Sequence, residues 1–125
     1  MSKLASTKRV AENELSRLVL DVLEEFKAEV ITSLDVRHLT SVTDVMVIAN
    51  GRSSRHVKAA AAGLVERAKE KGFRPLGIEG ENVGEWVLVD LADVVVHLML
   101  PKVREFYALE KLWDIEALEE AEDLP

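Results

Sequence analysis

The 125 residues contain no cysteine, which excludes disulfides and thiolate chemistry. No apolar run approaches the roughly 20 residues that a membrane helix needs, so no membrane association is expected. The first ten residues carry three basic side chains with no apolar stretch behind them, unlike a secretory signal. A cytoplasmic protein is the expectation that follows. Positive charge is in short supply: 16 Lys and Arg stand against 23 Asp and Glu, a net charge of -7. Such a chain gains nothing from neutralising phosphates, the main source of nucleic-acid affinity. Direct sequence-specific nucleic-acid binding is therefore not expected, and a basic protein is the better-matched partner. Aromatics make up only 5% of the chain, namely Phe26, Phe73, Trp86, Phe106, Tyr107 and Trp113, and they are not interleaved with arginine.

What is present is ordinary for a globular protein, 48% hydrophobic and 31% charged. The length suits one domain, residues 1–125, whose folding buries about two-thirds of the unfolded surface. The core is expected over about residues 12–113, after a lead-in that is frayed or partly helical and before an acidic tail. Leu15, Leu18, Val19, Val22, Leu23 and Phe26 repeat as one face of a helix, with Asn13 as its cap. Residues 29–36 and 43–50 read as β-branched strands with a link short enough to imply an antiparallel pair. Asn50-Gly51 ends the second, and Ser53 or Ser54 caps a helix with Val57, Ala60, Ala61, Leu64, Val65 and Ala68 inward. Gly72 is placed to end that helix in a left-handed conformation. A short strand over 74–79 and a loop over 80–85 follow. Pro101 closes the last strand. Val103, Phe106, Tyr107, Leu109, Leu112 and Trp113 are then spaced for short helical turns folding back on the sheet. The order predicts an α/β domain, a mixed sheet of about five strands flanked by helices.

The stretch Trp86–Leu100 reads W-V-L-V-D-L-A-D-V-V-V-H-L-M-L, two strands around a tight turn at Ala92-Asp93. That register pairs Leu91 with Val94, Val89 with Val96 and Val87 with Leu98. One face is then wholly aliphatic (Val87, Val89, Leu91, Val94, Val96, Leu98, Leu100) and belongs to the core. The other carries Trp86, Leu88, Asp90, Val95, His97 and Met99, a mixture suited either to a covering helix or to a partner. Trp and Tyr are the usual anchors of protein interfaces. Trp86, at the start of a strand after a polar loop, is expected to be partly exposed. Phe26 and Phe106 fit helix core stripes, and His97 is expected either to bond Asp90 or to make direct contact.

Other constellations carry weaker chemistry. Asn50-Gly51-Arg52-Ser53-Ser54-Arg55-His56 is a glycine turn opening a helix, a place where phosphate can sit. It resembles the Gly-Ser turn of nucleotidyltransferases but lacks the paired carboxylates that hold their magnesium, and no acid follows before Glu66. The Walker lysine is also missing. Asp90 and Asp93 frame the hairpin tip, and Asp93 is most simply a turn residue. His38, His56 and His97 share no metal-ligand spacing. No cofactor, metal site or catalytic residue is expected, with a nucleotide- or phosphate-binding enzyme of nucleotidyltransferase type as the rival reading.

Taken together, several stretches resemble the iojap-like family, the bacterial ribosomal silencing factors. They are Thr43-Asp44 before an apolar strand, Gly51 with Ser53-Ser54-Arg55-His56-Val57, Pro75-Leu76-Gly77-Ile78-Glu79-Gly80, Trp86 to Leu91, Asp93 to His97, and Arg104-Glu105-Phe106-Tyr107-Ala108-Leu109-Glu110-Lys111-Leu112-Trp113. The resemblance spans about Leu18 to Trp113. It implies a nucleotidyltransferase-like fold without the catalytic carboxylates. It also implies a translation repressor that binds the large ribosomal subunit at ribosomal protein L-fourteen and blocks joining of the small subunit when nutrients are scarce. Relatives in organelles act in large-subunit assembly. Carried over by position, Trp86 and Tyr107 match the family's contact aromatics, with Leu88, Asp90 and His97 as neighbours. With Met99 from the same face, these residues form the expected partner-binding set. Ala92 stands where the family usually has glycine, which adds strain to the turn. The acidic tail after Trp113 lies outside the family pattern. An exposed strip on the mixed face would also suit a homodimer hiding the same surface.

Overall fold

The inward stripe from Leu15 to Phe26 forms one side of α1 (Lys3–Glu25), where Leu15, Val19, Val22 and Leu23 are buried. In the computed structural model of this chain the described residues are 3–108, with side chains described from Glu14 to Phe106 and at Ala108. Asn13, expected as the cap, lies within the helix. The preceding residues are mostly good helix formers with no glycine or proline to stop them, so the helix extends toward the N-terminus. Its C-terminus closes with the Lys27 N–H on the Glu24 carbonyl (2.9 Å) and the Ala28 N–H on the Leu23 carbonyl (2.8 Å), with Lys27 at φ 61. This is the Schellman closure usually made with glycine.

The second helix, α2 (Ser54–Glu70), starts as expected: Ser53 Oγ accepts the His56 N–H at 3.1 Å. It buries Val57, Ala60, Ala61, Leu64 and Ala68 and ends at Gly72, which has φ 87. Ala59 and Ala62, on either side of the buried pair Ala60 and Ala61, face water. Gly63 sits where α1 approaches, and a Cβ there would lie 2.3 Å from the Phe26 ring. Any larger residue would force the Phe26 ring to move.

Five strands form one mixed sheet: β1 (Glu29–Asp35), β2 (Val45–Asn50), β3 (Gly77–Glu79), β4 (Trp86–Asp90) and β5 (Val94–Met99), in the order β1-β2-β5-β4-β3. Only β2 and β5 run parallel, and β1 pairs antiparallel with β2 across the short link, as expected. The β3 strand is shorter than the expected 74–79. Pro75 has no N–H for a ladder, and the Leu76 N–H goes to the Asp90 carbonyl (2.8 Å). β4 and β5 pair in the expected register, Val87 opposite Leu98, Leu88 opposite His97, and Val89 opposite Val96. At the tip the Asp93 N–H returns to the Leu91 carbonyl (3.0 Å), and Ala92 takes φ 71.

The aliphatic face of this hairpin meets α1 and α2. Val87, Val89, Val94, Val96 and Leu98 are closed to solvent there, with Val47 and Ala49 from β2. Each large side chain so buried contributes about 1.5–3 kcal/mol of transfer free energy. The opposite face holds a smaller cluster of Val36, Met46, Ile48 and Met99, against which Leu34, Trp86 and Val103 pack. Its cover is the chain after β1 and the two-turn helix α3 (Pro101–Tyr107). Among the described residues no long helix lies on it, and Trp86, Leu88, Asp90 and Val95 of the mixed face stay partly exposed.

Candidate docking face

Trp86 opens β4 directly after the 80–85 loop, and that loop is shaped to let it in. Gly80 has φ 86, and a Cβ on it would stand 2.0 Å from the Trp86 carbonyl oxygen. Only glycine permits that approach. The indole is half-buried. Its Nε1–H donates to His97 Nδ1 at 3.0 Å, with the ring centroids 5.9 Å apart and the planes at 47°. His97 is 7% exposed, and burial pushes its imidazole down to about pKa 4. It is therefore neutral at physiological pH. Because Nδ1 accepts, the remaining ring proton is assigned to Nε2. The bond ties one edge of the indole to the sheet and leaves other parts of the ring at the surface.

Leu88, Asp90 and Val95 lie on the same face, each partly exposed. Two of the expected contacts do not reach solvent in the way foreseen. Met99 is fully buried between β2 and α3, so it supports the face from below and drops out as a contact. His97 bonds Trp86 instead of Asp90, although the antiparallel register sets it diagonal to both. Asp90 Oδ1 instead accepts the Ala92 N–H at 2.9 Å and so braces the hairpin tip. Tyr107 is the last residue of α3, and its side chain lies outside the described residues, as do Leu109, Leu112, Trp113 and the acidic tail. Phe106, expected inside, is 81% exposed. With only two turns in α3, Val103 and Arg104 take the inward positions.

In the sequence Arg104 stands out only as the first residue of the family-like stretch 104–113. It is 6% exposed, and it donates to the Val30 carbonyl, to Asn50 Oδ1 (3.0 Å) and to Thr32 Oγ1 (2.7 Å). Its partners are scattered along the chain, and a surface-typical residue type gave no local sign of burial.

The glycine turn after β2 uses three of its donors internally. The Gly51 N–H bonds the Met99 carbonyl (2.9 Å), the Arg52 N–H bonds His56 Nδ1 (2.9 Å), and the His56 N–H bonds Ser53 Oγ (3.1 Å). His56 Nε2 lies 2.6 Å from the Phe26 carbonyl and so joins the start of α2 to the end of α1. A Cβ on Gly51 would meet Val57 at 2.5 Å, so close packing alone accounts for the glycine. These contacts make the turn a junction between elements. Among the described residues no three His, Asp or Glu side chains converge as metal ligands, and no helix is long and apolar enough to cross a membrane.

Comparison with known proteins is consistent with this architecture. Residues 9–125 match the family described as "Ribosomal silencing factor during starvation", so the match takes in the acidic tail, which was expected to lie outside the family pattern. The chain is 48% identical over 100 residues to a ribosomal silencing factor of Chromobacterium violaceum, covering 80% of this chain and 82% of that one. It is 35% identical over 117 residues to the mouse protein named "Mitochondrial assembly of ribosomal large subunit protein 1", covering 86% of this chain and 51% of that one. A crystal structure of a Chromobacterium violaceum protein superposes with a TM-score of 0.80 at 48% identity, covering 81% of this chain and 84% of that one.

Proposed function

The chain belongs to the family of ribosomal silencing factors, and we propose that it represses translation by docking its Trp86 face on the large ribosomal subunit. The contact is with a basic ribosomal protein, L-fourteen by family resemblance, and it blocks joining of the small subunit. The observation that carries this reading is the state of Trp86, a large indole held at one edge by His97 on a face that no long helix covers among the described residues. An aromatic ring already fixed in place loses little side-chain entropy when it enters a partner's pocket. Leu88 and Asp90 flank it as further contacts, and Tyr107 joins them by resemblance. The effect is steric. One bound face excludes another, and no cofactor, metal or chemistry is required.

Charge supports the choice of partner. Six acidic residues and no basic ones lie in 114–125, so almost all of the net charge of -7 sits in the last twelve residues. An acidic segment speeds encounter with a basic protein, while surrounding RNA repels misplaced approaches. The protein acts where ribosomes are, in the cytoplasm.

Co-sedimentation with isolated large subunits tests the reading. Trp86→Ala should cost about 2 kcal/mol or more of binding, roughly 30-fold in affinity, with the fold retained. Equal co-sedimentation of wild type and variant would overturn it. The name of the mouse relative favours a second reading, in assembly of the large subunit. Cells lacking the protein would then accumulate immature large subunits, whereas a silencing role leaves maturation normal. A homodimer hiding the same face is separated from both by light scattering with and without the ribosomal partner.

A further inference from the structure

α3 has seven residues, well short of the about 12–15 at which an isolated helix becomes even marginal, and Leu100 supplies no side-chain cap. Its direction is therefore set by what holds it. On one side Val103 enters the cluster of Val36, Met46, Ile48 and Met99, where Trp86 also packs. On the next residue, Arg104 reaches across the end of the sheet to Val30 and Thr32 of β1 and Asn50 of β2.

The sheet is deformed where it receives that guanidinium. β1 loses register between Glu29, opposite Asn50, and Thr32, opposite Ile48, so two residues face one on the partner strand. Within this bulge Val30 adopts φ 47, a left-handed conformation that β-branched residues rarely take. Its side chain is 66% exposed, so burial of the valine does not explain the strain. Its carbonyl, together with the Thr32 hydroxyl and the Asn50 amide oxygen, forms three neutral acceptors spread over two strands. A planar guanidinium can serve them at once from two nitrogens, whereas an ammonium offers a single point. Bulges of this kind re-aim what lies beside them.

We propose that Arg104 is the positioning residue of the docking face: held by Val30, Thr32 and Asn50, it sets the angle at which α3 leaves the sheet. That angle determines where Phe106 and position 107 stand relative to Trp86. The role rests on the docking reading above, since it concerns the geometry of that same surface. Arg104 acts on that surface through α3.

The test uses the full-length protein and two measurements. Amide hydrogen exchange compares residues 101–108 with β5, and affinity is measured for isolated large subunits at a temperature where every variant is folded. Arg104→Gln and Arg104→Lys should each speed exchange in 101–108 and weaken binding, both by about tenfold, while β5 stays protected. Failure of the lysine variant to restore binding separates the fork geometry from charge alone. Thr32→Val removes one acceptor and leaves the arginine in place, and it should give about a threefold loss in both measurements. It decides the matter should Arg104→Gln fail to fold. Unchanged exchange in 101–108, or a loosened α3 with wild-type affinity, would overturn the proposal. Equal binding by wild type and Trp86→Ala would overturn the docking reading and with it this role, while exchange would still report whether Arg104 holds α3.

Discussion

Trp86 and His97 lie diagonally across the β4–β5 hairpin, and the indole N–H donates to a buried, neutral imidazole at 3.0 Å. The same bond orients the candidate anchor and satisfies one nitrogen of an otherwise enclosed histidine. A neutral acceptor is required, because a protonated imidazole has no lone pair to offer the indole.

Acid should therefore weaken the fold through this pair. The folded pKa of about 4 lies below the ordinary 6.5, so between these values the unfolded chain holds a proton that the native state lacks. Stability then rises with pH across the window, and about 3 kcal/mol is lost between pH 6.5 and 4. Urea unfolding from pH 7 to 4 measures it, and His97→Gln should flatten the dependence. Asp35, held near 2 by the neighbouring Arg37 guanidinium, has its effect at more acidic pH, where falling pH removes its contribution. That pair is largely exposed and screened, so it is the smaller effect.

Two exposed non-glycine residues sit in left-handed backbone at chain reversals. Ala92 has φ 71 at the hairpin tip and Lys27 has φ 61 at the end of α1. Glycine relieves the Cβ penalty of that region, about 1 kcal/mol per site. Ala92→Gly and Lys27→Gly should each raise the unfolding midpoint, and together they should add, because they close different elements. Lower stability in either variant would show that the backbone relaxes out of the left-handed region.

The acidic segment 114–125 should act on the rate of association more than on the lifetime of the complex. Removing it takes away six of the seven net negative charges. Association with large subunits at low salt should slow by about tenfold, with dissociation little changed. Raising the ionic strength should erase the difference between truncated and full-length protein, as screening predicts. Stopped-flow binding at two salt concentrations reads both effects.

Much of the fold was legible because its signals are local. A period of two identified β4 and β5 and paired Val87 with Leu98. A period of three to four identified the stripes of α1 and α2, and Gly72 marked a helix end by its chemistry. Lys27 closes α1 with the same motif but without the glycine that signals it. Phe106 misled because a two-turn helix has too few positions for a stripe to decide which side faces inward. Asn13 misled because a good capping residue is not a stop signal when helix formers precede it.

By itself the sequence determined the elements, the core face of the hairpin, the charge balance and the placing of Trp86 on a mixed face. All of these follow from residue types within a few positions of one another. Only the tertiary structure decided that β2 runs parallel to β5, that His97 faces the indole while Met99 is sealed beneath it, and that Arg104 gathers Val30, Thr32 and Asn50 around one guanidinium. Contacts between residues dozens of positions apart leave no periodic trace in the chain, and they exist only once the sheet has brought its strands together.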